Sequence, residues 1–169
     1  ALAFGGRVPP ASFQSATELW NGTNWTSVNS MNETKRDVGS AGADNTSALS
    51  FGGYVTNLVG NSESWNGTNW TDTPALNTAR YNMGGDGASN TAALAFGGQP
   101  GGPSGTQTED WNGTSWSEQN DLSTGRVNLG SAGISTAALG FGGEGPPGTL
   151  TNTEEWSVPS TTTKTISTD

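Results

Sequence analysis

A chain of 169 residues is long enough for one ordinary domain with a real core, and nothing in its length demands two. Six basic against fifteen acidic residues give a formal net charge of −9, the wrong sign for gripping phosphate backbones or anionic membrane surfaces. Histidine and cysteine are both absent, which excludes disulfides, thiolate and imidazole metal ligands, Ser-His-Asp triads and cysteine nucleophiles. Twenty-six glycines and only 30% hydrophobic residues lean toward disorder, but seven tryptophans recurring at regular spacing point to an ordered all-β repeat. No apolar run approaches the length of a membrane span and no charged-then-apolar leader opens the chain, so it reads as soluble.

In chain order, the segment Ala-Leu-x-Phe-Gly-Gly places its aromatic at Phe4, Phe51, Phe96 and Phe141, a period of roughly 45 residues. A tryptophan follows each, at Trp20, Trp65, Trp111 and Trp156, and three of these continue as Trp-Asn-Gly-Thr-x-Trp to Trp25, Trp70 and Trp116. A turn-rich stretch then carries Lys35, Arg80 or Arg126, with Gly39, Gly84 or Gly130 four residues later. The units run 1–35 (partial), 36–79, 80–125 and 126–169, one continuous array.

Each unit divides into four short strand candidates separated by Gly, Pro, Asn and Ser clusters, as in a propeller blade. In the third unit, strand a falls near Tyr81 to Ala88, strand b near Thr91 to Phe96, strand c near Thr106 to Trp111 and strand d near Thr114 to Ser117. Along strand b, Leu94 and Phe96 share one face and Ala93 and Ala95 the other. The units with Leu49 and Phe51 and with Leu139 and Phe141 repeat that alternation. A sheet that is bulky on one side and small on the other is suited to stacking on copies of itself.

Asn-Gly between strands c and d predicts a two-residue type I′ turn. That turn places Trp65 opposite Thr68 and Glu63 opposite Trp70, with Trp65 and Trp70 as diagonal neighbours. The same spacing pairs Glu18 with Trp25 and Glu109 with Trp116. In the fourth unit Trp156 is followed by Ser157, Val158 and Pro159, so its turn must differ. The Thr161 to Thr168 stretch alternates well enough to supply a last outer strand.

The double glycines closing strand b, the strand-c aromatic, the strand-d Trp and the Arg opening the next unit resemble the Kelch family over essentially the whole chain. The four residues between the c aromatic and the d Trp are fewer than Kelch units usually have. The wording of the repeats is similar to bacteriophage proteins described as resembling the central domain of galactose oxidase. The resemblance implies an all-β propeller with about three and three-quarter blades in this chain. Three closures stay open: the C-terminal part of a longer propeller, a ring assembled from copies, or a small four-bladed ring with an incomplete first blade.

Lys35, Arg80 and Arg126 enter the strand that lines a propeller's central channel, where they would form a ring of positive charge. The competing reading pairs each with a glutamate or with backbone carbonyls, and it is the one favoured here. Glu18, Glu63, Glu109 and Glu154 occur once per unit, which suits cross-strand partners better than the paired acids of a glycosidase. Asp44 and Asp86 lie in or beside Gly-rich loops but lack the dense alternating acids of a calcium loop. The tryptophans at strict repeat spacing fit packing better than sugar stacking. The sequons at Asn21, Asn66 and Asn112 already have a purpose as turns.

The loops that vary between units follow the double glycines and share one rim: Arg7 to Ser15, Tyr54 to Gly60, Gln99 to Gly105 and Glu144 to Thr149. Arg7, Tyr54, Asn57, Gln99 and Glu144 are the candidate binding residues there; no catalytic or metal-ligating set is expected, and no cofactor. Copper chemistry of the galactose oxidase kind needs histidine and a cysteine-linked tyrosine, which this chain cannot supply. The expectation is a non-enzymatic virion or extracellular structural or adhesion protein. Its partners would be other virion proteins, cell-surface proteins or glycans, and it would be either a homo-oligomer or part of a longer chain completing the ring. A carbohydrate-binding module is the alternative.

Overall fold

The repeat becomes a succession of antiparallel sheets. The computed structural model describes residues 1–10, 12–99, 105–146 and 148–158, which contain strands and turns but no helix. The first sheet comprises β1 (Leu2–Phe4), β4 (Thr17–Trp20) and β5 (Trp25–Val28), with a small hairpin of β2 (Arg7–Val8) and β3 (Ser12–Phe13) emerging between β1 and β4. The second is the meander β6 (Gly39–Ala41), β7 (Ala48–Phe51), β8 (Ser62–Trp65) and β9 (Trp70–Thr73). The third repeats it with β10 (Gly84–Ser89), β11 (Ala92–Phe96), β12 (Thr108–Trp111) and β13 (Trp116–Glu118). The fourth pairs β14 (Gly130–Ile134), β15 (Ala137–Phe141) and β18 (Thr153–Ser157), with the hairpin β16 (Glu144–Gly145) and β17 (Gly148–Thr149) between the last two. The expected outer strand over Thr161 to Thr168 lies outside the described residues, as do residues 100–104 of the third variable loop.

The double glycine is required by the backbone at the exit of each second-position strand. Gly52 and Gly53 have φ of 61° and 111°, and Gly97 and Gly98 have 68° and 90°, a left-handed region closed to most side chains. A Cβ on Gly97 would also sit 2.8 Å from the Arg126 carbonyl oxygen. The chain therefore turns out of the sheet there and begins the variable loop.

The turn between the third and fourth strands differs from the two-residue form expected. Asn66 N–H donates to Asn69 O at 3.3 Å, closing a four-residue loop, and Trp65 lies directly opposite Trp70 in register. Glu63 therefore faces Asp72, Glu109 faces Glu118 and Glu18 faces Ser27, in place of the Trp partners that a shorter turn implies. The reason is local: the Asn66 side-chain oxygen accepts from Thr68 N at 3.0 Å and Asn69 N at 2.9 Å, satisfying two loop donors. Asn21 and Asn112 do the same in their own loops. Only the glycine of each pair takes positive φ.

Bulk packs into hollow between successive sheets, as the alternation along the second strands implies. Leu49 and Phe51 are 0% exposed and Leu94 and Phe96 0% and 3%, while Ala93 and Ala95 behind them are also fully buried. The Phe51 ring lies over Gly85 of the third sheet, where an added Cβ would fall 2.7 Å from its tip. Phe96 stands in the same way over Gly140 of the fourth. At the first two junctions the Trp of the next sheet's fourth strand joins the contact: Phe4 meets Trp70 at 4.9 Å and Phe51 meets Trp116 at 5.0 Å, both edge-on. Burying a Phe side chain contributes roughly 1.5–3 kcal/mol, and an aromatic pair of this geometry about 0.5–1.5 kcal/mol more.

The indole N–H groups of the packed tryptophans find acceptors. Trp65 donates to Asn45 O, Trp111 to Asn90 O and Trp156 to Ser135 O, at 3.0 to 3.2 Å, each tying the third strand to the opening turn of its own sheet. Trp70 donates across the junction to Thr17 Oγ1 at 2.9 Å. Trp65, Trp70 and Trp111 are core, and Trp156 packs half-buried against it.

Candidate functional site

The recurrent cations and glutamates combine into one latch in each of the second, third and fourth sheets. Lys35 pairs with Glu63 at 3.2 Å, Arg80 with Glu109 at 3.1 Å and Arg126 with Glu154 at 2.7 Å. Each carboxylate also accepts backbone N–H groups of the segment leading into its sheet: Asn32 for Glu63, Asn77 and Thr78 for Glu109, Ser123 and Thr124 for Glu154. The guanidinium of Arg126 further donates to Gly142 O and Asn152 O, and that of Arg80 to Gln107 O. Lys35, Arg80 and Arg126 are at most 1% exposed, so they present no ring of charge to a channel. An extended cation entering the sheet finds a carboxylate and several carbonyls before it finds solvent, and the glutamate reading of these positions is the one the contacts carry. Glu18, at the same repeat position in the first sheet, is exposed and has no ion-pair partner among the described residues.

Burial opposes the Arg80 pair from both sides, lowering the guanidinium pKa and raising that of the Glu109 carboxyl against the hydrogen bonds from Asn77 and Thr78. For the more open Glu154, burial also pushes upward, but the Ser123 hydrogen bonds and Arg126 outweigh it and hold the carboxyl below its ordinary range.

The latch positions the residue that follows each cation. Arg36, Tyr81 and Val127 form two-way backbone bridges with the residues that follow the double glycines, Tyr54, Gln99 and Glu144. The distances are 3.1 and 2.9 Å for Arg36 and Tyr54, 3.4 and 2.8 Å for Tyr81 and Gln99, and 2.8 and 2.9 Å for Val127 and Glu144. Next in sequence come Asp37, Asn82 and Asn128, all left-handed at φ of 57°, 56° and 53°, a conformation that Asn and Asp tolerate best among side-chain-bearing residues. Asn82 N–H donates to Asp37 O at 3.1 Å and Asn128 N–H to Asn82 O at 3.0 Å, linking the three frames in a row. The backbone is thus repeated while the side chains it displays are not.

The displayed side chains touch one another. The Arg36 guanidinium lies 4.6 Å from the Tyr54 ring centre and 5.4 Å from that of Phe13, and it pairs with Asp37. Tyr54 meets Phe13 at 6.2 Å and Tyr81 at 5.5 Å, and the Tyr81 hydroxyl donates to Gln99 Oε1 at 2.9 Å. Phe13, Arg36, Tyr54 and Tyr81 are half-buried, and Gln99 is exposed at the end of the row.

Of the residues expected from sequence, Tyr54 and Gln99 are brought together through Tyr81. Arg7 is exposed at one end, bonding Pro10 O at 2.8 Å on the hairpin that carries Phe13. Asn57 is exposed in the Tyr54 loop, its carbonyl accepting from Val55 N. Glu144 lies toward the other end, on the wall of a hollow of about 450 Å³ that it shares with Gln99, Val127 and Thr149. Sequence reasoning assigned no binding role to Phe13, Arg36 or Tyr81. Their signal was available in the position after each cation, which differs from unit to unit as the position after the double glycine does.

The two aspartates singled out from sequence line a cavity of about 360 Å³ along the first strands of the sheets. Asp44 caps its own turn, accepting from Thr46 N and Oγ1 at 2.8 Å. Asp86 takes the repeat position of Ala41 and Ala132 and is only 8% exposed, with Oδ2 unpartnered and burial raising its pKa.

No family model matches the chain, and no curated protein matches it by sequence. Solved structures that share the fold include that of YjhT, with a TM-score of 0.73 at 13% sequence identity. That match covers 86% of this chain and 50% of the other, so the chain spans about half of the protein it resembles. At this identity the likeness concerns the fold alone.

Proposed function

We propose that the four sheets are blades of a Kelch-like β-propeller and that the chain is a non-enzymatic structural or adhesion protein of a bacteriophage virion, binding a protein or receptor through the loop rim. One observation carries this reading: three backbone frames of the same geometry display three different side-chain pairs, Arg36 with Tyr54, Tyr81 with Gln99 and Val127 with Glu144. A rigid scaffold with divergent side chains on one rim is the arrangement of a recognition surface. The half-exposed Tyr54 and Tyr81 supply amphipathic area at low entropic cost, and Arg36 supplies a charge already oriented between rings.

The test is binding of the labelled, folded chain to a panel of intact bacterial cells and their isolated surface proteins, beside a mass-spectrometric search of purified virions. Tyr54→Ala and Gln99→Ala are expected to abolish capture, while Thr68→Ala in the loop between β8 and β9 leaves it intact. Equal capture by all three variants, or absence of the protein from virions, would overturn the reading.

The tyrosine row favours a second reading, a carbohydrate-binding module. Aromatic faces stack on sugar rings, and the neighbouring Gln99 and Asn57 amides suit hydroxyl groups. A glycan array separates the two, because selective sugar binding lost in Tyr54→Ala is expected only of the module.

A further inference from the structure

We infer that the outer face of the fourth sheet and the outer face of the first are the two halves of one head-to-tail interface, occupied by a second copy of this chain. The inference rests on the junctions already present. At each one, the Leu and Phe of one sheet pack against the next, and at the first two junctions the next sheet's fourth-strand Trp is covered in return. Leu49 and Phe51 are 0% exposed, and Trp70 and Trp116 are each 6% exposed.

The same repeat positions at the ends are open. Leu139 and Phe141 are 41% and 42% exposed, with Ile134 beside them at 45%, and Trp25 at the opposite end is 48% exposed. Along β15 the burial alternates, with Ala138 and Gly140 covered by the third sheet and Ala137, Leu139 and Phe141 uncovered. The first sheet shows the converse, with Leu2 and Phe4 turned toward the second sheet and Ala3 exposed on its other side. One end thus carries the bulky half of the junction and the other the small half with its Trp.

Each internal junction is heterologous, joining unlike faces, so a second copy placed by the same operation continues the stack. The Asn128 carbonyl occupies the position from which Asp37 and Asn82 accept a hydrogen bond from the following unit, continuing the backbone row to the same open end. Among the described residues the first sheet has no counterpart of β10, so the copied junction keeps the Phe–Trp half of the contact and lacks the half made over Gly85. Exposed apolar faces of this kind mark interaction surfaces.

Sedimentation velocity over a concentration series tests the inference. The wild-type chain is expected to sediment as a species larger than one copy, and Phe141→Asp and Ala3→Arg are each expected to give monomers. Because each variant keeps one intact face, mixing them should yield a two-copy species and nothing larger. If Phe141→Asp fails to fold by circular dichroism, Ile134→Asp replaces it on the same face. A wild-type monomer at the highest concentration reached overturns the inference and leaves both faces to blades from elsewhere in a longer chain. Assemblies that persist in both variants, or variants that remain monomeric when mixed, overturn it as well.

Discussion

The Trp116 indole and the Phe51 ring meet edge-to-face, with centres 5.0 Å apart across the junction between the second and third sheets and 63° between the ring planes. Phe4 and Trp70 repeat the contact one sheet earlier, at 4.9 Å and 68°. The junction between sheets is therefore a recurring aromatic contact, and its weight can be measured. Trp116→Ala is expected to cost about 3–5 kcal/mol in urea unfolding. Trp25→Ala, in the same repeat position but half exposed, should cost roughly half as much, because the loss scales with the area buried.

The hollow that receives Phe51 is set by Gly85. A Cβ there would lie 2.7 Å from the ring tip and 2.8 Å from the Ser40 backbone nitrogen. Gly85→Ala should destabilise by about 1–3 kcal/mol. Adding Phe51→Leu frees the ring side only, so the double variant regains part of the loss and no more. Denaturant midpoints of the three variants check this.

The Arg80 and Glu109 pair is fully buried, and its value depends on both partners. Arg80→Met strands a buried carboxylate and should cost about 3–5 kcal/mol. Arg80→Met combined with Glu109→Gln removes the charge while retaining an acceptor oxygen for one of the two N–H groups of Asn77 and Thr78, so stability should partly return. A double-mutant cycle by chemical denaturation reads the coupling.

Asp86 sets a pH dependence of definite sign. Burial raises its pKa in the folded chain. Between the ordinary carboxylate value and that raised value, the folded state holds the proton and the unfolded state has released it. Stability contributed by the neutral acid is therefore lost as pH rises through this window. Asp86→Asn should raise the melting temperature at neutral pH and leave it unchanged below the ordinary carboxylate range. Glu154 acts oppositely: its lowered pKa means that its stabilisation is present at neutral pH and is lost as pH falls through the folded value.

The sheets were legible in the sequence because their determinants are periodic. Leu94 and Phe96 alternate with Ala93 and Ala95, and a glycine pair recurs where the backbone turns left-handed out of each second-position strand. The loops between the third and fourth strands were misread because Asn-Gly propensity alone ignores the Asn66 side chain, which accepts two loop N–H groups and lengthens the turn. The rim was legible as a set of variable loops. The part played by Arg36 was not, because its position between Phe13 and Tyr54 arises from two loops far apart in sequence and a latch that only the folded sheet assembles.

The most direct test of the rim as a recognition surface is a parallel binding titration of the wild-type chain and Tyr54→Ala on a panel of bacterial cells and a glycan array, with melting temperatures measured on the same samples. The variant should bind at least about tenfold more weakly, a loss of about 1.4 kcal/mol, with its melting temperature unchanged. Equal binding by the two proteins, with the fold of both intact, would contradict the account.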